Sequence, residues 1–150
     1  MKPMEIFYIL IVLLAGIGVP IQTASNAALG KSLGGPIHST VAVFLVGLIL
    51  VTLVFFVQKN AVPSRAAIAE APWWGWLGGP LGVAYIFVLI LVAPKIGMAN
   101  AVGFVILGQI LGAVVLDHFG WLNFPVHKIN WQRLLGALLM IIGVFLIRKF

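Results

Sequence analysis

Five apolar stretches, each close to twenty residues long and divided by short gaps, leave this chain of 150 residues almost nothing to build with outside a bilayer. A helix needs about 20 consecutive apolar residues to cross the hydrocarbon core, and in lipid only helices and closed barrels satisfy their own backbone. The stretches run at about 6–26, 36–57, 75–94, 97–117 and 131–147. They read as five transmembrane helices in one all-α domain covering residues 1–150. Charged residues make up 8% of the chain, against about 25% in a soluble domain. The net charge of +6 is then best assigned to loops that meet anionic headgroups rather than to nucleic acid. Cysteine is absent, which removes disulfides and thiolate metal sites. The first stretch exceeds a usual signal-peptide core and four more follow it, so it reads as a retained helix.

The cations are distributed almost evenly. Alternating the loops across the membrane puts Lys2, Lys59, Arg65, Lys128 and Arg133 on the amino-terminal side. Lys31, Lys95, Arg148 and Lys149 fall on the other, giving five against four. An excess of Lys and Arg normally holds one face in the cytoplasm. A near-even split predicts insertion in both orientations and pairing of inverted copies, an antiparallel homodimer of ten helices. Two chains would then reproduce the inverted repeat that many transporters carry in one.

Within the spans, Gly16, Gly18 and Pro20 favour a kink or a partly opened backbone midway along the first. Gly18, Gln22, Ser25 and Asn26 follow at spacings of one helix face. Span 2 opens at Pro36, a favourable first-turn residue, with His38, Ser39 and Thr40 just inside and a lipid-facing remainder. The loop at 58–72 has room for a short interfacial helix at 64–70, and Trp73, Trp74 and Trp76 mark a membrane–water boundary. Gly75 with Gly79 and Gly78 with Gly82 in span 3, and Gly108 with Gly112 in span 4, fit small-xxx-small patterns and are expected to pack helices closely. Pro94, Lys95 and Gly97 form a tight link, so spans 3 and 4 are expected to be antiparallel neighbours.

The candidate site residues follow from cost. A polar side chain deep in a bilayer helix needs partners or water, so Gln22, Asn26 and Gln109, together with Tyr85, are the expected substrate contacts. Asp117 sits at a helix carboxyl end, where the macrodipole disfavours an anion. It reads either as a proton or cation site or as an anchor for the following loop. His38 is the second coupling-ion candidate. Gln22, Asn26 and His38 lie toward one membrane face and Gln109 and Asp117 toward the other, so inverting a second copy brings the two groups to one depth. No Ser/His/Asp spacing, carboxylate pair, phosphate-cradling loop or metal cluster is readable. The chain is expected to be no enzyme and to use no cofactor or metal.

Several segments resemble a small bacterial family. They are Gln22xxxAsn26, Pro72-Trp-Trp-Gly-Trp-Leu-Gly-Gly-Pro80, Ala93-Pro-Lys-Ile-Gly97, Gly108-Gln109 through Asp117-His118-Phe119-Gly120, and Arg133-Leu-Leu-Gly136 to Gly143. The resemblance is to the YdcZ-like branch of the drug/metabolite transporter superfamily. It covers nearly the whole chain and implies a five-helix unit of the bacterial inner membrane, working as an inverted pair or a tandem fusion. The implied activity is export or exchange of a small polar, zwitterionic or drug-like solute by alternating access. Four-helix exporters of that superfamily keep a glutamate inside their first helix; here Glu5 lies at the mouth and Gln22 and Asn26 are neutral, so proton coupling through span 1 is not expected. The alternative class is a small dual-topology ion channel of the fluoride-channel type, with Asn26 and phenylalanines lining a narrow pore.

Overall fold

The computed structural model describes residues 3–150. Lys2, one of the five cations counted on the amino-terminal side, lies outside the described residues. The elements are α1 (Pro3–Leu33), α2 (Pro36–Val57), α3 (Arg65–Glu70), a 3-10 turn at Trp73–Leu77, α4 (Gly78–Ile96), α5 (Met98–Phe119), a second 3-10 turn at Trp121–Asn123 and α6 (Trp131–Lys149). Five of the helical segments are long and apolar enough to cross a membrane, as the sequence requires.

Span 2 is observed as expected, from Pro36 to Val57. The short helix expected in the following loop is present too: the Ser64 hydroxyl accepts from the Ala67 N–H at 3.1 Å and caps α3. Three expectations need correction. α1 does not end near Asn26 but runs to Leu33, 31 residues in all. Ala27, Ala28, Leu29 and Lys31 are good helix formers, and nothing stops the helix before Gly34 and Gly35 at φ 88° and 154°. Nor does the backbone open midway, since α1 stays helical through Pro20. Similarly, α4 continues through Pro94 and Lys95, so Gly97, at φ 88°, alone breaks the chain before α5.

The chain divides into two compact units. One comprises residues 21–91. Its packed core lies where α1, α2 and α4 meet: Thr23, Asn26, Ser39, Thr40, Leu89 and Ile90 are buried. A Cβ added at Gly30 would lie 3.5 Å from the Gly35 carbonyl oxygen, 3.5 Å from Ser39 Cβ and 3.6 Å from Ile90 Cγ2. Small residues thus let three helices converge. Beyond its first turns α2 is exposed, Val46, Leu50 and Val57 among its surface residues, the face that lipid solvates.

The second unit comprises residues 1–20 and 92–150. In it α5 packs along α6. Gly103 gives the close approach, its Cβ position lying 3.6 Å from both Val144 methyls, and Phe104 meets Phe145 edge-on at 6.5 Å. The tryptophans Trp73, Trp76, Trp121 and Trp131 are exposed, as interfacial anchors are.

Candidate substrate site and the loop anchor

In the 21–91 unit the polar face expected on span 1 splits in two. Thr23, Asn26 and Gly30 point into the core while Gln22 and Ser25 face outward. The split follows from helical geometry: positions 23, 26 and 30 repeat at i, i+3 and i+7, and α2 covers that stripe. Ser39, fully buried, donates its hydroxyl to the Asn26 carbonyl at 2.6 Å. Thr40 bonds back to the Pro36 carbonyl at 2.9 Å. Asn26 is buried and its backbone carbonyl is a floor on which α2 rests, and Ser39 and Thr40 belong to the same buried cluster.

Gln22 borders a cavity of about 430 Å³ whose other walls are Val43, Phe44, Leu48 and Val51 of α2 and Ile86 of α4. Its amide forms no hydrogen bond with the described residues. The result is one polar handle on an otherwise apolar wall. Tyr85 is half-buried on α4, next to Ile86 but outside that lining. His38 is exposed beside Leu33, Ile37, Val41 and Leu45, with no acidic residue in that lining.

In the other unit, Gln109 is exposed on α5 and unpartnered among the described residues. Gly108 and Gly112 flank it, and a Cβ at either would meet nothing within 4 Å. Among the described residues no close packing is made at these glycines, and Gly79 is equally open. Gly75 and Gly82 are looser than a backbone seam: their nearest neighbours are Pro72 Cγ at 3.8 Å and Phe44 Cζ at 3.9 Å. Close approach is taken by Gly30 and Gly103 instead, because those positions face a covering helix.

Asp117 has a definite partner. Its Oδ2 accepts from Arg133 Nη1 at 3.1 Å, and the same Nη1 donates to the His127 carbonyl at 3.2 Å. The His127 N–H returns a bond to the Asp117 carbonyl at 2.8 Å. Next to it, His118 Nδ1 accepts from the Ile129 N–H at 3.1 Å, and Asn130 caps α6 by accepting from the Arg133 N–H at 2.9 Å. An anion at the carboxyl end of α5 and a cation in the first turn of α6 each oppose their helix dipole; pairing them relieves both. These bonds also offset the cost of Leu122, held at φ 57°, where a non-glycine residue loses about 1–2 kcal/mol. In the structure Asp117 is thus tied to the loop and to α6, and the partner that sequence reasoning did not name is Arg133. Its signal was there: Arg133 is as misplaced on α6 as Asp117 is on α5.

Both side chains are about one-third exposed, at 33% and 30%, so solvent screens the pair and its stabilisation is about 0.2–1 kcal/mol. Asp117→Asn and Arg133→Gln should each lower thermal stability slightly, and the double variant should lose less than the two losses added. A thermodynamic cycle of melting temperatures checks this; strict additivity would mean that the pair contributes nothing.

No solved structure matches the chain. The inner membrane protein YdcZ of Escherichia coli (strain K12) is 22% identical to it over 135 residues, covering 90% of each chain. A family model described as "Putative inner membrane exporter, YdcZ" matches residues 7–146. That match takes in every apolar span, from the first turns of α1 to near the end of α6, and the chain belongs to the YdcZ family of inner-membrane proteins.

Proposed function

We propose that the chain exports a small solute with an apolar body and one polar or zwitterionic group, by alternating access in an inverted pair of chains. The observation that carries this reading is the free amide of Gln22 on the apolar wall of a cavity of about 430 Å³. Ligand sites of roughly 300–1,000 Å³ combine mainly apolar walls with a few polar groups that fix orientation. An unpaired amide at membrane depth is costly unless something wets or binds it. With no carboxylate in that lining, a neutral or zwitterionic solute fits better than a permanent cation.

The inverted pair has its own support. A Cβ at Gly108 or Gly112 would meet nothing within 4 Å, which leaves room for another helix backbone to approach beside Gln109. A partner inserted upside down would bring its α5 to the depth of Gln22. Gln109 is then the second substrate contact, and transport alternates as the two chains rock about the joint site.

The test is counter-exchange in liposomes, screening small zwitterionic and amphipathic solutes to find one that moves. Gln22→Leu keeps the bulk and removes the polarity, so it should fold and pair normally while reducing exchange by about two- to tenfold, the loss of one hydrogen bond to a polar ligand group. Gln109→Leu should act in the same direction. Undiminished exchange by Gln22→Leu would remove this cavity from the transport path. Flux without counter-exchange would identify a channel instead.

A further inference from the structure

The niche where α5 begins and α6 ends carries an assignment independent of the transport reading. Ile96, Asn100 and Phe104 face Arg148 across a cavity of about 450 Å³. Asn100 Nδ2 donates to the Ile96 carbonyl at 2.7 Å, which fixes the amide and leaves Oδ1 buried without a partner. A buried, unpaired acceptor is rare in native structures. Arg148 also borders a second cavity of about 590 Å³, an apolar groove formed by Ile142, Phe145 and Leu146 of α6 and topped by Lys149. Neither Arg148 nor Lys149 forms an ion pair among the described residues. One guanidinium therefore stands at the junction of a polar niche and an apolar groove.

We propose that this junction is a binding site for a phospholipid whose headgroup can donate a hydrogen bond. The phosphate sits on Arg148, with Lys149 beside it, as charge complementarity requires. A small shift of the surrounding side chains opens Asn100 Oδ1, which has almost no accessible surface here, and the headgroup's ammonium or hydroxyl donates to it. An acyl chain lies along Ile142, Phe145 and Leu146. An arginine at a helix end commonly just snorkels to the interface; the fixed acceptor beneath it asks in addition for a donor. That requirement gives the site selectivity. Phosphatidylethanolamine and phosphatidylglycerol offer N–H or O–H groups, whereas the trimethylammonium of phosphatidylcholine offers none, so the first two are held several-fold more tightly.

Native mass spectrometry of the full chain, purified in mild detergent and supplied with defined lipids, reads this directly. Wild type should retain phosphatidylethanolamine or phosphatidylglycerol in preference to phosphatidylcholine. Arg148→Gln should lower retention of all three by about tenfold, roughly one charge-assisted contact, while Lys128→Gln in the α5–α6 loop changes nothing. Asn100→Leu should keep the phosphate contact and erase the preference over phosphatidylcholine. Glycerol phosphate at millimolar concentration should fail to displace the lipid, since it lacks the chain that fills the groove. Equal retention of all lipids by wild type, unchanged retention by Arg148→Gln, or displacement by glycerol phosphate would each overturn the assignment.

Discussion

Ser39→Leu should lower the melting temperature in detergent by about 10 °C, the steepest loss of stability expected from one substitution in this chain. Ser39 is fully buried, and its hydroxyl lies 2.6 Å from the Asn26 carbonyl of the facing helix. A leucine there must displace α1 or α2, because the Gly30 Cβ position is already 3.5 Å from Ser39 Cβ and 3.6 Å from Ile90 Cγ2. Overpacking a tight core costs about 1–3 kcal/mol, and the lost interhelical hydrogen bond adds about 0.6. A chain of this size loses about 2–4 °C of melting temperature per kcal/mol. Ser39→Ala separates the two contributions, since it removes only the bond and should shift the melt by about 2 °C. If Ser39→Leu melts like the wild type, α2 does not rest on α1 at this point.

That contact also shows where the sequence stops being readable. The spans themselves were legible because apolar length is a direct consequence of bilayer thickness, and the start of α2 because Pro36 fits the first turn. The end of α1 was not: the polar run from Gln22 to Asn26 looks like an exit from the membrane, yet it forms a buried joint with Ser39, and helix propensity carries α1 on to Gly34. Glycine spacing told that backbones can approach, not which ones do. Gly108 and Gly112 have the pattern with nothing among the described residues within 4 Å of a Cβ there, while Gly103 meets Val144. Asp117 was visible as an anomaly, but its resolution by Arg133 depends on how the intervening loop folds back. Asn100 gave no signal at all, because an asparagine near a helix start is ordinary until its oxygen is seen to be buried and unpaired.

Two lysines placed on the amino-terminal side, Asn60→Lys with Ala61→Lys, should reduce transport by more than tenfold, whereas two lysines added after Phe150 should leave it nearly unchanged. The asymmetry follows from the cation count. The wild type has five on the amino-terminal side and four on the other. Each Lys or Arg near an anionic surface is worth about 1 kcal/mol, so one extra charge biases orientation by about five to one and both orientations coexist. The Asn60/Ala61 pair raises the count to seven against four, about 3 kcal/mol or roughly 150 to one, and the minority orientation all but disappears. If transport needs an inverted pair, it falls with that minority. Lysines after Phe150 give five against six, which only reverses the mild bias and keeps both partners abundant. Both substituted positions are exposed, outside the buried joint and the cavity beside Gln22, so folding should be unaffected. Side-specific reporters at the carboxyl terminus measure orientation, and counter-exchange in liposomes measures transport. A wild type found in one orientation only, or a fully active Asn60/Ala61 variant, would exclude the inverted homodimer and leave the open Gly108–Gly112 face to another chain.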